Sequence, residues 1–186
     1  ISDITISTDS NKIITILKKK NYDIFFKRAK NLSNDNVSKI DAIKDALLKS
    51  EIYHKKKYDY IIDLDVTSPL RTLDDINNSI NLILKQKAFN LFSVNLSKKN
   101  PYFNMVEKKN NTYKLIKNVK KIMSRQKAPQ VYDMNASIYI WKRDFLIKNK
   151  TLFSNKTIIY EMPFERSIDI DDYDDLKYVK YLLKND

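Results

Sequence analysis

The run Ser167-Ile168-Asp169-Ile170-Asp171-Asp172-Tyr173-Asp174-Asp175 gathers five carboxylates into nine residues. If Ile168 to Asp171 is extended, Asp169 and Asp171 point to one face, because side chains alternate along a strand. Two hard oxygen donors at a strand end suit Mg²⁺ carrying substrate phosphates. Asp172, Asp174 and Asp175 then fall in the first turn of a closing helix, where acids favour the positive end of the dipole. Capping of that helix by the whole cluster is the competing reading. Spacing alone leaves both open.

Asp63 and Asp65 form a second alternating pair, at the end of the strand-like segment Tyr58 to Asp65 and before the turn Thr67-Ser68-Pro69. Their spacing also fits the metal site of a glycosyltransferase, while a structural role suits Asp63; Asp65, nearest the turn, faces the ligand side. Arg28, Arg71 and Arg125 each adjoin a proposed strand end or turn, where a guanidinium can form paired hydrogen bonds to phosphate or carboxylate. Each equally suits a surface salt bridge. Tyr132, Asn135 and Tyr139 follow Arg125-Gln126 and suit either a polyol pocket or the core.

The elements that must position these groups alternate. Ile4 to Ser7 reads as a short β-branched strand, and Asp9-Ser10 offers an N-cap for the apolar pattern Ile13, Ile14, Ile16, Leu17. Tyr22 to Phe26 suggests another strand, and Ile40, Ile43 and Leu47 recur at helical spacing. Thr72 with Asp75 three residues on reads as a capping box before Ile76, Ile80 and Ile83, with the next strand at Phe89 to Asn95. Such alternation argues for one α/β domain over residues 1–186: an open, mainly parallel sheet with helices on both faces and ligands at the carboxyl ends of its strands. Residues 97–129 break the pattern as a polar, lysine-rich insertion or arm, with a possible strand at Thr112 to Ile116. Ala136 to Trp141 and Thr157 to Met162 resume the sheet, and Leu176, Val179 and Leu183 mark the closing helix.

Composition narrows the classes. The 186 residues carry 35 Lys and Arg against 23 Asp and Glu, a net charge of +12. That basicity is scattered lysine without arginine clusters or aromatic interleaving, so no nucleic-acid face is expected, although it suits an anionic substrate. No window approaches the roughly 20 apolar residues of a membrane span. Cysteine is absent and His54 is the single histidine, which excludes disulfides and thiolate or histidine metal clusters. The cytoplasm is the expected compartment. Glycine is also absent, so these residues contain no glycine-rich phosphate cradle.

Taken in order, the segments resemble the CMP-sialic acid synthetase family, also called acylneuraminate cytidylyltransferases. Ile6-Ser7-Thr8-Asp9-Ser10 is similar to the family's strand with Ser-Thr-Asp, and Phe26-Lys27-Arg28 through Asp35 and Ser38 to its nucleotide-contacting segment. Asp65-Val66-Thr67-Ser68-Pro69-Leu70-Arg71 resembles the Gln-Pro-Thr-Ser-Pro-Leu-Arg motif. Ser124-Arg125-Gln126, then Pro129, Tyr132 and Asn135-Ala136-Ser137, is similar to the Arg-Gln motif and the Asn-Gly-Ala strand, with Ala136 where the family has Gly. Ser167 to Asp171 with Asp175 resembles the metal-binding block. Asp65 replaces the usual sugar-contacting Gln, and Asn100-Pro101-Tyr102-Phe103-Asn104 with Tyr132-Asp133-Met134-Asn135 looks closest to the legionaminic-acid-type branch.

The resemblance implies a nucleotide-diphospho-sugar transferase-like fold. It also implies transfer of CMP from CTP to a nine-carbon α-keto acid sugar of sialic, legionaminic or pseudaminic type, releasing pyrophosphate. It assigns Asp169 and Asp171 to Mg²⁺, Arg28, Asp35 and Ser38 to the nucleotide, and Asp65, Arg71, Gln126, Tyr132 and Asn135 to the sugar, with Arg125 facing its carboxylate. A homodimer joined through the 97–129 arm is implied as well. The family's first strand and phosphate loop would precede Ile1, so the resemblance reads the chain as part of a longer polypeptide, inactive without that loop. Two other readings stay open: a glycosyltransferase-like enzyme using Asp63 and Asp65, and a non-catalytic binding subunit.

Overall fold

A computed structural model describes residues 1–34, 37–118 and 124–185. Helices α1 (Asn11–Lys19), α2 (Lys39–His54), α3 (Leu73–Gln86), α4 (Arg143–Lys148) and α5 (Tyr173–Asn185) alternate with strands β1 (Tyr60–Leu64), β2 (Asn90–Leu96), β5 (Tyr132–Lys142) and β6 (Thr157–Glu161). The main sheet has the order β1-β5-β2-β6. Bonds from Lys142 N to Phe89 O (2.8 Å) and Arg143 N to Asp59 O (2.9 Å) set the end of β5 beside the starts of β2 and β1. β5 is therefore antiparallel to both neighbours. Phe89 N to Lys156 O (2.9 Å) and Met162 N to Val94 O (2.7 Å) set β2 and β6 parallel. The fold is α/β with a mixed sheet, in which β5 runs against the shared direction of β1, β2 and β6.

The helices start where their sequences say. Ser10 Oγ accepts from Ile13 N (3.3 Å), and Ser38 Oγ accepts from Ile40 N (3.2 Å), each satisfying a donor that the first helical turn leaves open. Before α3, Thr72 Oγ1 accepts from Asp75 N (3.1 Å) while Asp75 Oδ2 accepts from Thr72 N (2.9 Å), the reciprocal pair of a capping box.

Two expected strands do not form. Ile4 to Ser7 and Tyr22 to Phe26 join no ladder among the described residues. A β-branched run becomes a strand only when its backbone groups find a partner strand. Here Thr5 Oγ1 bonds Ser50 Oγ (2.7 Å) and Tyr22 N donates to Leu17 O (3.1 Å), so the two segments are tied down by isolated bonds instead. Ser167 to Asp171 is likewise irregular, not a strand.

The chain divides into two compact units. The first holds residues 1–63, 86–90 and 140–157, with Ile43, Leu47, Ala88, Ile140, Trp141 and Leu146 buried. Within it Phe145 stacks on Phe89 at 5.5 Å, and Arg143 grips Glu51 with Nε to Oε1 at 2.6 Å and Nη2 to Oε2 at 2.8 Å. The second unit holds residues 64–85, 91–139 and 158–186, around Ile83, Leu91, Val94, Ile138, Met162 and Val179. Inside the 97–129 arm, β3 (Val106–Lys109) pairs antiparallel with β4 (Thr112–Leu115). The connecting Asn110 and Asn111 have φ of 48° and 60°, the double left-handed pair of a type I′ hairpin turn.

Candidate functional site

The second unit carries most of the residues singled out by sequence. Its centre is a kink in β5. Ala136 lies within the strand at φ 53°, the left-handed region, where the ladder cannot continue regularly. The displaced donors are met by side chains: Asn135 Oδ1 accepts from Ser137 N (3.3 Å), and Ser93 Oγ accepts from Ile138 N (2.8 Å). Ser93 in turn donates to Asn135 Oδ1 (2.6 Å), and Asn135 Nδ2 donates to Ser167 Oγ (2.9 Å). All of Ser93, Asn135 and Ser137 are buried. The Asn135 amide, assigned above to the sugar, is thus engaged on both its oxygen and its nitrogen in holding β2, β5 and Ser167 together.

The Thr-Ser-Pro turn packs on the same cluster. Asp65 Oδ1 accepts from Thr67 N (3.3 Å) and Thr67 Oγ1 (3.0 Å), so this carboxylate shapes its own turn. Arg71 donates through Nη1 to Ser137 O (3.0 Å) and Ser137 Oγ (3.2 Å), and through Nη2 to Asp65 O. Its guanidinium ties the turn to β5 through backbone acceptors. Ser68, fully buried, sets its hydroxyl 3.4 Å from Asn135 O and 3.5 Å from Asp169 Oδ1, and Ile170 N donates to Thr67 O (2.9 Å).

Asp169 therefore sits against the polar turn, and Asp171 follows two residues on in the same irregular segment, where strand alternation no longer fixes the two carboxylates to one face. The capping work falls to their neighbours. Asp172 Oδ1 accepts from Asp174 N (2.8 Å) and Asp175 N (3.0 Å), and Asp175 Oδ2 accepts from Asp171 N and Asp172 N, both at 3.1 Å. The competing explanation for the acidic run holds for Asp172 and Asp175 and leaves Asp169 and Asp171 without a capping role. Among the described residues no ion pair neutralises either carboxylate, and no group of three or more His, Cys, Asp or Glu converges. Two carboxylates with no cationic partner fit a Mg²⁺ that takes its other oxygens from phosphate and water.

Arg125 is exposed in the short 3₁₀ turn Arg125–Lys127. With Lys98, Lys99, Asn100, Pro129 and Gln130 it lines an open cleft of about 260 Å³. Three cations around one hollow suit an anionic ligand. Gln126 and Tyr132 are exposed on either side of this stretch, and Lys98 Nζ stands 3.4 Å from the Phe164 ring centroid.

The first unit holds Arg28 and Ser38. Ser38 is engaged as the α2 cap, and the Arg28 Nε is buried with no hydrogen-bond partner among the described residues. Asp35 lies outside the described residues. Asp63, the partner of Asp65 in the glycosyltransferase reading, pairs instead with Lys39 at 3.1 Å.

One group escaped the sequence reading as a part of this region. Asp75, 1% exposed, receives Arg166 Nε (2.9 Å) and Nη2 (2.8 Å) as a bidentate pair, together with Tyr160 Oη (3.2 Å). Burial works to raise this carboxyl; the Arg166 guanidinium and the Thr72 donors override it and hold it at about 2. The capping box gave Asp75 a role at the helix start, but the arginine that pairs with it is 91 residues away and carried no local signal.

The chain is 40% identical over 182 residues to post-translational flagellin modification protein B of Campylobacter coli, covering 97% of this chain and 77% of that protein. It is also 40% identical over 181 residues to the CMP-N,N'-diacetyllegionaminic acid synthase of Campylobacter jejuni, covering 97% and 76%. An N-acylneuraminate cytidylyltransferase of Streptococcus agalactiae is 27% identical over 95% of this chain and 41% of its own length. Among solved structures, a CMP:2-keto-3-deoxy-manno-octonic acid synthetase complexed with CTP superposes with a TM-score of 0.63 at 15% identity, over 100% of this chain and 82% of that one, which bears on the fold. No protein-family model matches.

Proposed function

Because the chain belongs to the CMP-sialic acid synthetase family, in its legionaminic branch, we infer that it is a cytidylyltransferase acting on CTP and a nine-carbon α-keto acid sugar. The anomeric hydroxyl of the sugar attacks the α-phosphate of CTP. The bond between the α- and β-phosphates breaks, pyrophosphate leaves, and the hydroxyl proton passes to solvent or a base. Such a transfer depends on alignment and charge neutralisation more than on covalent catalysis. N,N'-diacetyllegionaminic acid, named in the Campylobacter jejuni relative, is the first sugar to test.

The observation that carries this reading to particular residues is that Asp169, 3.5 Å from the buried Ser68, and Asp171 make no ion pair among the described residues, while Asp172 and Asp175 cap the helix. Asp169 and Asp171 would hold Mg²⁺, which when bound supplies charge neutralisation to the triphosphate. Arg125, with Lys98 and Lys99 in the cationic cleft, receives the sugar carboxylate, and Gln126 and Tyr132 flank it. Arg28, whose buried Nε lacks a partner among the described residues, serves the nucleotide together with Asp35. Asp65, Arg71, Ser38 and Asn135 act on substrate indirectly, by fixing the turn, the α2 start and the β5 kink.

The 97–129 arm joins two copies into a homodimer. Its hairpin exposes Val106 (60%) and Tyr113 (69%), and a two-stranded ribbon is marginal in water without a further surface to pack on. The cytoplasm, where CTP is made, is the compartment this reaction needs; no helix among the described residues is long and apolar enough to cross a membrane.

The decisive measurement is pyrophosphate release with mass-spectrometric detection of the CMP-sugar, on the protein expressed from its complete coding sequence as wild type, Asp169→Asn, Asp171→Asn and Asp172→Ala. Wild type turns over with CTP; the first two variants lose at least tenfold in kcat with little change in melting temperature, and Asp172→Ala loses stability and keeps its turnover. Consumption of a preformed nucleotide-sugar in place of CTP would refute the cytidylyltransferase reading. Early melting with near-normal turnover in Asp169→Asn and Asp171→Asn would refute the metal assignment. Sedimentation of the protein as a monomer at micromolar concentration would refute the dimer.

A further inference from the structure

The segment Ser167 to Asp172, between the 3₁₀ turn Phe164–Arg166 and the start of α5, carries both proposed metal ligands yet has no regular structure of its own. An irregular loop bearing two like charges is held in place only by the bonds that reach it from regular elements. These bonds are few and can be named. Ser167 Oγ donates to Pro163 O (2.8 Å) and accepts from Asn135 Nδ2 (2.9 Å), which anchors it to β5. Ile170 N donates to Thr67 O (2.9 Å), which anchors it to the turn after β1. Ser68 Oγ lies 3.5 Å from Asp169 Oδ1 and Lys98 Nζ stands over the Phe164 ring. A further anchor is ionic: Arg166, three residues before Asp169, is clamped in two-pronged fashion by Asp75 at the start of α3.

Asp75 is an unusual anchor. It is a 1% exposed carboxylate serving at once the capping box of α3, the Tyr160 hydroxyl of β6 and the Arg166 fork. Capping alone needs neither burial nor an arginine, since Thr72 satisfies the helix start by itself. A planar guanidinium held on both prongs fixes direction as well as distance, in a way an ammonium does not. The backbone that leaves Arg166 therefore enters Ser167 to Asp171 at a fixed angle. Outer groups that orient metal ligands commonly govern metal affinity by 10–100-fold.

We propose that Asp75 and Arg166 are positioning residues for the metal site: their ion pair sets the Asp169-Asp171 loop in the geometry that receives a divalent cation with the nucleotide. This rests on the cytidylyltransferase reading above. The pair touches neither metal nor substrate. Its removal is expected to weaken cation binding through the loop, beyond any effect on folding.

The test uses Mn²⁺ as the probe, titrated into the full chain with CTP at 10 °C and followed by the electron paramagnetic resonance signal of free Mn²⁺. Variants are Arg166→Met, Arg166→Lys and Asp75→Asn, each checked for native circular dichroism. The expected outcome is a rise in the Mn²⁺ Kd of about tenfold for Arg166→Met and Asp75→Asn, with Arg166→Lys intermediate because it keeps the charge and loses the fork. The Mg²⁺ concentration for half-maximal pyrophosphate release should rise in parallel, while kcat at saturating Mg²⁺ stays within about threefold. If folded Arg166→Met and Asp75→Asn bind Mn²⁺ within twofold of wild type, the pair is purely structural and the inference is overturned. Should Arg166→Met fail to fold, Arg166→Lys decides by the same criterion. A wild type that binds Mn²⁺ with CTP but releases no pyrophosphate overturns the reaction and leaves the clamp to be judged by Kd; one that binds no Mn²⁺ overturns both.

Discussion

Replacing Ala136 by glycine should make the protein more stable, against the usual effect of glycine in a strand. Ala136 is held at φ 53° inside β5, between the buried Asn135 and Ser137. For a residue with a Cβ the left-handed region costs about 1–2 kcal/mol. Glycine enters it freely but adds about 0.5–1 kcal/mol of conformational freedom to the unfolded chain. The difference favours glycine by about 0.5–1 kcal/mol, equivalent to about 1–4 °C in a domain of this size. Urea unfolding monitored at Trp141, buried in the first unit, provides the assay alongside circular dichroism of the whole chain. The midpoint should rise in Ala136→Gly with the m-value unchanged, and should fall by more than about 1 kcal/mol in Ala136→Val, whose branched Cβ tolerates positive φ least. A lowered midpoint for Ala136→Gly would show that the kink is not strained and that the Ser93 and Asn135 bonds set it without cost.

Further outcomes follow from the charged and polar anchors. Asp75, held at about 2, contributes stability that is complete above its ordinary value near 4 and is lost as pH falls from about 4 towards 2; in Asp75→Asn the acid unfolding curve should be flatter across that window. Breaking the Glu51–Arg143 fork with Arg143→Met should cost about 3 kcal/mol in denaturant titrations, because the largely buried Glu51 carboxylate loses its partner. Asn135→Ala should cost about 2–3 kcal/mol, since Ser137 N, Ser93 Oγ and Ser167 Oγ each lose a partner in a buried cluster; a loss below about 0.5 kcal/mol would return Asn135 to a substrate role. In the hairpin, Asn111→Gly at φ 60° should raise amide protection of β3 and β4, and unchanged hydrogen exchange would count against the type I′ turn.

Local signals were legible where the chemistry is local. Ser10 and the Thr72-Asp75 box announced their helices, and each cap forms as read, whereas Ser38, read as a nucleotide contact, caps α2. Apolar periodicity placed α2, α3, α5 and the four sheet strands within a few residues. Ile4 to Ser7 and Tyr22 to Phe26 misled because β-propensity says only that a strand would be tolerated, whereas a ladder partner decides. At the site, the order of the motifs pointed to the family, yet the individual roles depend on tertiary pairing. Asn135 and Arg71 looked like ligand-binding groups and are spent on Ser93, Ser167 and Ser137. Arg166 carried no signal, because an arginine becomes an anchor only when a buried acid far along the chain meets it. Ala136 was visible as a departure from the family pattern; that it occupies a left-handed position became apparent from the backbone.

The strand order β1-β5-β2-β6 has a consequence for how the chain is made. β1 does not pair with β2, the strand that follows it in sequence, and β1, which ends at Leu64, must await β5, which begins at Tyr132. At a synthesis rate of about 5–20 residues per second, the nascent β1 stands without its sheet neighbour for roughly 3–14 s. Over that interval the ribosome presents the apolar pair Ile61-Ile62 on an unmatched edge, while the β3–β4 hairpin can close on itself within microseconds. Folding therefore has a long lag followed by a late, cooperative closure when β5 emerges, and β2 and β1 are captured together by one strand. Chaperone dependence should concentrate on chains stalled between these two points, and a ribosome pause placed just after Lys142 clears the tunnel should relieve it.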